Sequence, residues 1–422
     1  MAATRREIYV YAHWVPMDEP IHMGKLYSEL LRGKEVFSFE YQKQWLASGF
    51  AQSLDPDLQL YSGPQYLSDE KPNFGLFLDS SPDRWGQLLM RRREAALARK
   101  EERKAQNLFA TDYLLGVYDE HRMGALRFKE DPEGPFLNDN REMAAPPWAS
   151  LRELQEVSLK LEQEDAASDP EYLEWLNLLI APGSSLGGAR PKASILDPAG
   201  HLWIAKFPSR NDLRDIGAWE KVAYDLALRC GINIAEAEVQ KFTGPHHTFL
   251  TKRFDRTSSN QRIHFASAMT LLGHTDGYGS TEGASYLELA EFLMSDGAEV
   301  DKDLEELWRR IVFSICISNT DDHLRNHGFI LTDSGWRLSP AYDINPVETG
   351  TGLSLNISEG DNALNLDLAR EVAPYFRLKD KTADQIIEQI LKVVGSWREV
   401  AAKHSISRDE VEFMAAAFNS QT

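Results

Sequence analysis

Cysteine is almost absent. Only Cys230 and Cys316 occur in 422 residues, so no disulfide framework can hold this chain. Both lie in apolar helical runs and read as buried, reduced thiols. Long apolar stretches are also missing. The longest, Ile311–Ile317, is far too short to cross a bilayer. The first residues, MAATRREIYVYAHWVP, lack the apolar stretch of a signal peptide, so the expected location is the cytoplasm, with no membrane partner. Positive charge is in deficit. The 46 Lys and Arg face 65 Asp and Glu, giving −19, which argues against direct binding of nucleic acid or anionic lipid. No internal repeat and no low-complexity tract is present. What remains is a globular composition, 42% hydrophobic and 26% charged, long enough for two or three domains with cores of their own.

Residues 7–14 alternate apolar and polar side chains and predict a strand, with a second apolar patch at Val36–Tyr41 after a short polar turn. Asp79-Ser-Ser-Pro82 predicts a helix start with the proline in the first turn, followed by the charged run RRREAALARKEERK, which reads as a solvated helix face. A helix near Thr111–Val117 follows. Glu130–Pro147, rich in Pro, Asp, Asn and Glu, is the best linker candidate. Helices are predicted at Ser150–Glu162 and Glu171–Ile180. A β-hairpin then joins Ala193–Leu196 to His201–Phe207 through Asp197-Pro-Ala-Gly200. Next come a helix over Ala218–Cys230 closed by Gly231, strands at Ala237–Phe242 and Thr248–Lys252, and helices near 285–294, 303–317 and 382–403. The predicted division is a domain over 1–130, a linker over 131–149, a strand-rich lobe over 150–256 and a helical lobe over 257–422.

Five features fall in one order. Gly183–Lys192 (GSSLGGARPK) is a small-residue loop before a strand, whose backbone N–H groups can approach a phosphate, although an ordinary tight turn has the same composition. Lys206 sits among Trp203, Ile204 and Phe207 on a strand, where its charge needs a partner unless it snorkels to water. Glu220, at the start of the next helix, is the natural partner. Asp321 and Asn326 have the D-x-x-x-x-N spacing of a kinase catalytic loop, where Asp orients a hydroxyl and Asn holds magnesium. Asp343 follows 22 residues after Asp321, where kinases place a second magnesium aspartate. Hard oxygen ligands suit Mg²⁺, and Lys206 with the metal would balance a transferring phosphoryl group. The neighbouring Asp322 has no counterpart in this pattern and is expected to be a cap or a surface carboxylate. His323 and His327 stand at i, i+4 as in a zinc hydrolase, but Leu324 occupies the place of the catalytic glutamate and no third ligand is evident.

The segments SSLGGARPKA, WIAKFPS, KRFDR, NTDDHLRNHGF and LSPAYDI, in this order, resemble the HipA family, the serine/threonine-kinase toxins of bacterial toxin–antitoxin pairs. Upstream, WLASGF, NFGLFLDSSPDRWG and DYLLGVYDEHRMGALRF resemble that family's N-terminal domain, so the likeness extends over about residues 7–400. It implies an α+β fold: a two-lobed, protein-kinase-like domain with a β-rich N-lobe and a mostly helical C-lobe, preceded by an N-terminal β-rich domain. It further implies Asp321 as catalytic base, Asn326 and Asp343 as Mg²⁺ ligands, and His323 and Lys206 beside the phosphates of ATP. Lys252, Arg253, Phe254 and Asp255 would line the adenine hinge. Leu186, Gly187, Gly188, Ala189, Arg190 and Lys192 would form the loop over the phosphates, and Ser185, or the adjacent Ser184, would be autophosphorylated. The hinge departs from relatives in carrying Lys252 where a glutamate can stand, and the loop in carrying Pro191 beside Lys192. The implied partners are a helix-turn-helix antitoxin of HipB type, which makes the DNA contact, and a translation-related protein substrate, notably an aminoacyl-tRNA synthetase. Two other readings stand beside this one: a kinase of a small hydroxylated metabolite, and a catalytically weak corepressor subunit.

Overall fold

The computed structural model describes residues 5–67, 71–180, 188 and 190–418. Ser184, Ser185, Leu186, Gly187 and Ala189 therefore lie outside the described residues. The chain forms two compact units. One comprises Met1–Arg210 with Arg253–Ala266, the other Asn211–Lys252 with Ser267–Thr422. These bounds differ from the predicted ones: no single cut near residue 256 divides the packing, because the chain leaves the first unit after Arg210, returns at Arg253 and leaves again after Ala266.

In the first unit, β1 (Arg5–Ala12), β2 (Ile21–Leu31), β3 (Lys34–Tyr41), β4 (Pro64–Tyr66) and β5 (Leu126–Lys129) make an antiparallel sheet in the order β4-β3-β2-β1-β5. Period-two alternation buries Ile8, Val10 and Ala12 of β1, and Phe37, Phe39 and Tyr41 of β3. The central β2 was not anticipated. Its period-two pattern breaks where Met23 and Gly24 are both buried, and a Cβ at Gly24 would come within 2.4 Å of the Phe39 ring and 2.5 Å of the Glu40 carbonyl. Its hairpin to β3 turns at Arg32 and Gly33, both at positive φ, as a two-residue turn of this hand requires.

Helices α1 (Lys43–Leu46), α2 (Gly75–Leu78), α3 (Arg84–Lys100), α4 (Ala110–Gly116), α5 (Leu151–Leu161) and α6 (Tyr172–Ile180) complete this unit with the hairpin β6 (Lys192–Leu196) and β7 (Leu202–Lys206). The cap of α3 is Asp83, whose Oδ1 accepts from the Gly86 N–H at 2.8 Å, so Pro82 precedes the cap and is outside the first turn. The charged face of α3 is partly engaged: Arg92 donates to the Leu161 carbonyl and Arg93 to Asn177. The expected linker is packed as well. Leu137 N–H bonds the Phe128 carbonyl at 2.8 Å, Leu196 N–H bonds the Pro146 carbonyl at 3.0 Å, and Met143 is buried. The hairpin turn matches its prediction, because Asp197 accepts from the Ala199 and His201 N–H groups and Gly200 takes φ 86°.

Buried arginines hold Arg253–Ala266 to the rest of this unit. Arg122 donates to the carbonyls of Ser80, Leu114, Val117 and Leu137 at 2.7–3.0 Å. Arg253 forks onto both oxygens of Asp255 and reaches the carbonyls of His121 and Arg122, while Asp255 also accepts from Arg256 and from the Gly124 N–H. Burial pushes Arg122 and Arg256 down to about 9, which leaves both charged at neutral pH. The converging carbonyls supply the negative potential that Asp255 alone does not.

The second unit contains α7 (Ile216–Arg229), the hairpin β8 (Ala237–Gln240) and β9 (Thr248–Lys252), then the short strand β10 (Phe265–Ser267) at its border, α8 (Ala268–Leu271), α9 (Tyr286–Asp296) and α10 (Val300–Cys316). A hairpin of β11 (Gly328–Thr332) and β12 (Gly335–Leu338) follows, and then α11 (Leu366–Val372), α12 (Asp380–Val394), α13 (Trp397–Lys403) and α14 (Arg408–Met414). The single helix predicted over 382–403 is two, broken at Gly395 and Ser396. α10 is the core helix, with Leu304, Leu307, Trp308, Ile311, Val312 and Phe313 all buried. Cys230 and Cys316 are free and buried, and burial lifts both thiols to about 12, which keeps them inert. Among the described residues no helix is long and apolar enough to cross a membrane.

Candidate active site

The polar segment 318–327 bridges α10 and β11 in the second unit. Its path is set from the helix end. Ser318 takes φ 51°, and the Asn319 N–H turns back to the Ser314 carbonyl at 2.9 Å. The next two residues part company. Asp321 is exposed, whereas Asp322 is buried, its Oδ2 accepting from the Tyr286 hydroxyl at 2.6 Å and its Oδ1 lying 3.0 Å from His327 Nε2 in an ionic contact. Burial works to raise the Asp322 carboxyl, but the His327 charge and the Tyr286 hydrogen bond outweigh it and hold the group below the ordinary carboxylate range.

Asn326 then closes the loop. Its Nδ2 donates to the Asp321 carbonyl at 2.9 Å, and its Oδ1 is buried without a hydrogen-bond partner among the described residues. A buried orphan carbonyl oxygen costs free energy unless something occupies it. His323 is half-buried, with Nδ1 likewise unpartnered.

The Asp343 segment is stitched to this loop. Tyr342 OH donates to the Arg325 carbonyl at 2.8 Å, the Asn345 N–H donates to Asn319 Oδ1 at 3.1 Å, and the Val347 N–H reaches the Ser318 carbonyl at 3.1 Å. Asp343 itself has φ 56°, a left-handed conformation that is uncommon outside glycine and is tolerated best by Asp and Asn. Its Oδ1 accepts from Asn345 Nδ2 at 3.2 Å. Thus Asp321, Asn326 and Asp343 belong to one hydrogen-bonded assembly of two loops. Asn319, Asn345 and Tyr286, which hold that assembly, were not foreseen as site residues. Asn319 is one polar residue among many in its segment, and neither Asn345 nor Tyr286 belongs to a recognisable spacing, so the sequence holds no signal that singles them out.

The sequence profile of the family described as HipA-like C-terminal domain matches residues 184–397. The chain belongs to that family. A Haemophilus influenzae protein named "Putative kinase" is 25% identical over 179 residues, 38% of this chain and 52% of the relative, so the chain spans about half the length of the curated relative it matches. Among solved structures, HipA of the Shewanella oneidensis MR-1 toxin–antitoxin system, in complex with HipB and its operator DNA, matches at a TM-score of 0.65 and 19% identity, over 97% of this chain and 95% of that one. The fold is therefore the α+β fold of HipA.

In this HipA-like chain the donor set suits magnesium. Asn326 Oδ1 and the Asp343 carboxylate are hard oxygens, and Mg²⁺ takes few protein ligands beside substrate phosphates. Among the described residues no three His, Cys, Asp or Glu side chains converge on a metal position, and His327 is taken up by Asp322.

The other predicted residues are distributed over both units. Glu220 is buried on α7, and Lys252, half-buried at the end of β9, lies 3.5 Å from Glu236. In the first unit, Lys206 is half-buried at the end of β7, opposite Lys192 in the hairpin register. Gly188 and Arg190 are described, with the Gly188 carbonyl accepting from Lys192 Nζ at 3.2 Å. Lys192 is buried and pairs with Asp83 at 2.8 Å, so its charge also anchors the cap of α3. Phe254 is half-buried against Phe265. The side chains of Arg253 and Asp255 are fully buried in the network already described, so they cannot touch a nucleotide, and only their backbone remains for that task.

Asp322, expected as a cap or surface group, is corrected to a buried structural carboxylate. Asp322→Ala is expected to cost about 1–3 kcal/mol, because it strands the Tyr286 hydroxyl and His327. Asp322→Asn, which keeps an acceptor, should lose less. Urea unfolding of the two variants measures the difference, and an unchanged midpoint for the alanine variant would contradict this role.

Proposed function

We propose that this chain is an ATP- and Mg²⁺-dependent protein serine/threonine kinase, the toxin of a toxin–antitoxin pair. The observation that carries the reading is the buried, unpartnered Oδ1 of Asn326 in a loop tied to Asp343, with Asp321 exposed at the loop's surface. Asp321 would accept the proton of a substrate hydroxyl, which requires an accessible carboxylate. Asn326 and Asp343 would hold Mg²⁺, which supplies neutralisation of phosphate charge when bound. Lys206 would contact the phosphates with Glu220 as its partner, His323 would lie beside them, and the backbone of Lys252–Asp255 with the Phe254 ring would receive adenine. The name of the Haemophilus relative supports a kinase.

The HipB and operator DNA bound to Shewanella HipA support a helix-turn-helix antitoxin as partner. The charge of −19 leaves most DNA contact to that partner. The substrate we propose is a translation-related protein such as an aminoacyl-tRNA synthetase, with autophosphorylation at Ser185 or Ser184 as self-inhibition. A phosphate there, adding about −1.5 to −2 charges, would repel the nucleotide.

Calorimetry with ATP should show binding that depends on Mg²⁺. Heat absent with and without the metal would end the kinase reading. Mass spectrometry after incubation with Mg·ATP should find phosphate on Ser185 or Ser184, accompanied by weaker ATP binding. Phosphate found only elsewhere would remove the self-inhibition and leave the kinase standing.

A further inference from the structure

The second unit holds a cavity of about 260 Å³ that none of the proposed nucleotide or metal residues lines. Ile216 and Trp219 from the first turn of α7, Val347, and Met414 of α14 give it apolar walls. Polar groups meet it as well, Arg214, Asn345 and Glu348 among them. Arg214 pairs with Glu348 at 2.6 Å, and its guanidinium lies 4.6 Å from the centroid of the Phe413 ring. Asn345 lines the same cavity, and its Oδ1 is buried without a hydrogen-bond partner among the described residues. Pockets that select small molecules have this composition, an apolar body with a few polar groups that fix orientation.

Each group makes a chemical demand. The walls ask for an apolar side chain of modest size. Arg214 asks for an anion, and the Glu348 carboxylate that now meets it is the group a ligand must displace. The Asn345 carbonyl asks for a donor. We propose that the cavity binds a free apolar α-amino acid. Its carboxylate would replace Glu348 on Arg214, its ammonium would donate to Asn345 Oδ1, and its side chain would lie among Ile216, Trp219, Val347 and Met414.

The position of Asn345 gives the site a consequence. Its Nδ2 donates to Asp343 Oδ1 at 3.2 Å and its N–H to Asn319 Oδ1 at 3.1 Å. A ligand on Oδ1 would fix the same amide that orients Asp343, so occupancy would tune the affinity for Mg·ATP. This coupling, though not the binding itself, rests on the kinase reading.

Calorimetry of the full chain without nucleotide, using L-phenylalanine and L-phenylalaninamide as probes, tests the site. The acid should bind, and the amide, which lacks the carboxylate, should bind at least about tenfold more weakly, as loss of one charge-assisted contact implies. Arg214→Gln should weaken the acid to the same degree, and Glu348→Gln should tighten it several-fold by removing the competitor. No heat with L-phenylalanine at millimolar concentration, in both wild type and Glu348→Gln, would mean that the cavity holds water only and would overturn the proposal. Equal affinity for acid and amide would overturn it too. In a separate titration, saturating L-phenylalanine should shift the Mg·ATP affinity several-fold, and an unmoved affinity would overturn the link to Asp343. The first measurement needs no nucleotide, so its failure and the failure of the kinase reading are distinguishable.

Discussion

Asp321→Ala should lower phosphoryl transfer by about 10²–10⁴-fold, the range that a positioned general base contributes, while ATP binding stays close to that of the wild type. The residue is exposed, and Asn326 bonds its backbone carbonyl, a group that the alanine variant keeps. Labelled ATP and gel autoradiography measure the transfer, and calorimetry measures the binding. The paired variant sharpens the result. Asn326→Ala removes the orphan oxygen together with the donor to the Asp321 carbonyl, so it should lose magnesium-dependent nucleotide affinity as well as turnover. Wild-type transfer by Asp321→Ala would show that the acid lies elsewhere.

The largest loss of stability is expected from Asp255→Ala, about 3–5 kcal/mol. Asp255 is fully buried, and its removal leaves the guanidinium groups of Arg253 and Arg256 without their carboxylate. Burial alone would raise its carboxyl, but the two arginines and the Gly124 N–H overcome this and hold it at about 2, below the ordinary value near 3.9. A depressed carboxylate stabilises the fold above its unfolded pKa. That contribution is fully present above roughly pH 5 and is lost as pH falls from there through about 2. Denaturant midpoints of wild type and Asp255→Ala should therefore differ most near neutrality and converge in acid. A difference that grows as pH falls would reverse the sign and refute the assignment.

Some of this architecture can be read from the sequence because the signals are local. The hairpin Lys192–Lys206 declares itself through Asp197-Pro-Ala-Gly200, where the Asp197 carboxylate and the positive φ of Gly200 shape the turn locally. The spacing of Asp321 and Asn326 is local too, and the Asn326 amide closes that interval by donating to the Asp321 carbonyl. Other features depend on partners far along the chain. Arg253 bonds the His121 carbonyl across 132 positions, so a residue that reads as part of a hinge is a structural tie. Asp321 and Asp322 are adjacent and chemically identical. Only the arrival of Tyr286 and His327 from outside the pair decides which one turns inward. The strand Ile21–Leu31 is hard to read because Met23 and Gly24 break its period-two pattern, at the register shift opposite Val10 and Tyr11.

The stretch that matches the family, residues 184–397, begins in one packing unit, enters the other after Arg210, re-enters the first for Arg253–Ala266 and finishes in the second. The segment inherited as a family module and the segment that packs as a body are thus not the same. Gene fission or shuffling at a single point between residues 210 and 253 would divide a core: a fragment ending there lacks Asp255 and Arg253, and one beginning there carries them without the carbonyls of His121 and Arg122. Descent of the C-terminal part without its N-terminal companion therefore requires a replacement set of acceptors for those buried guanidinium groups. A shorter relative that lacks residues equivalent to 1–130 should carry uncharged side chains at the positions of Arg253 and Asp255.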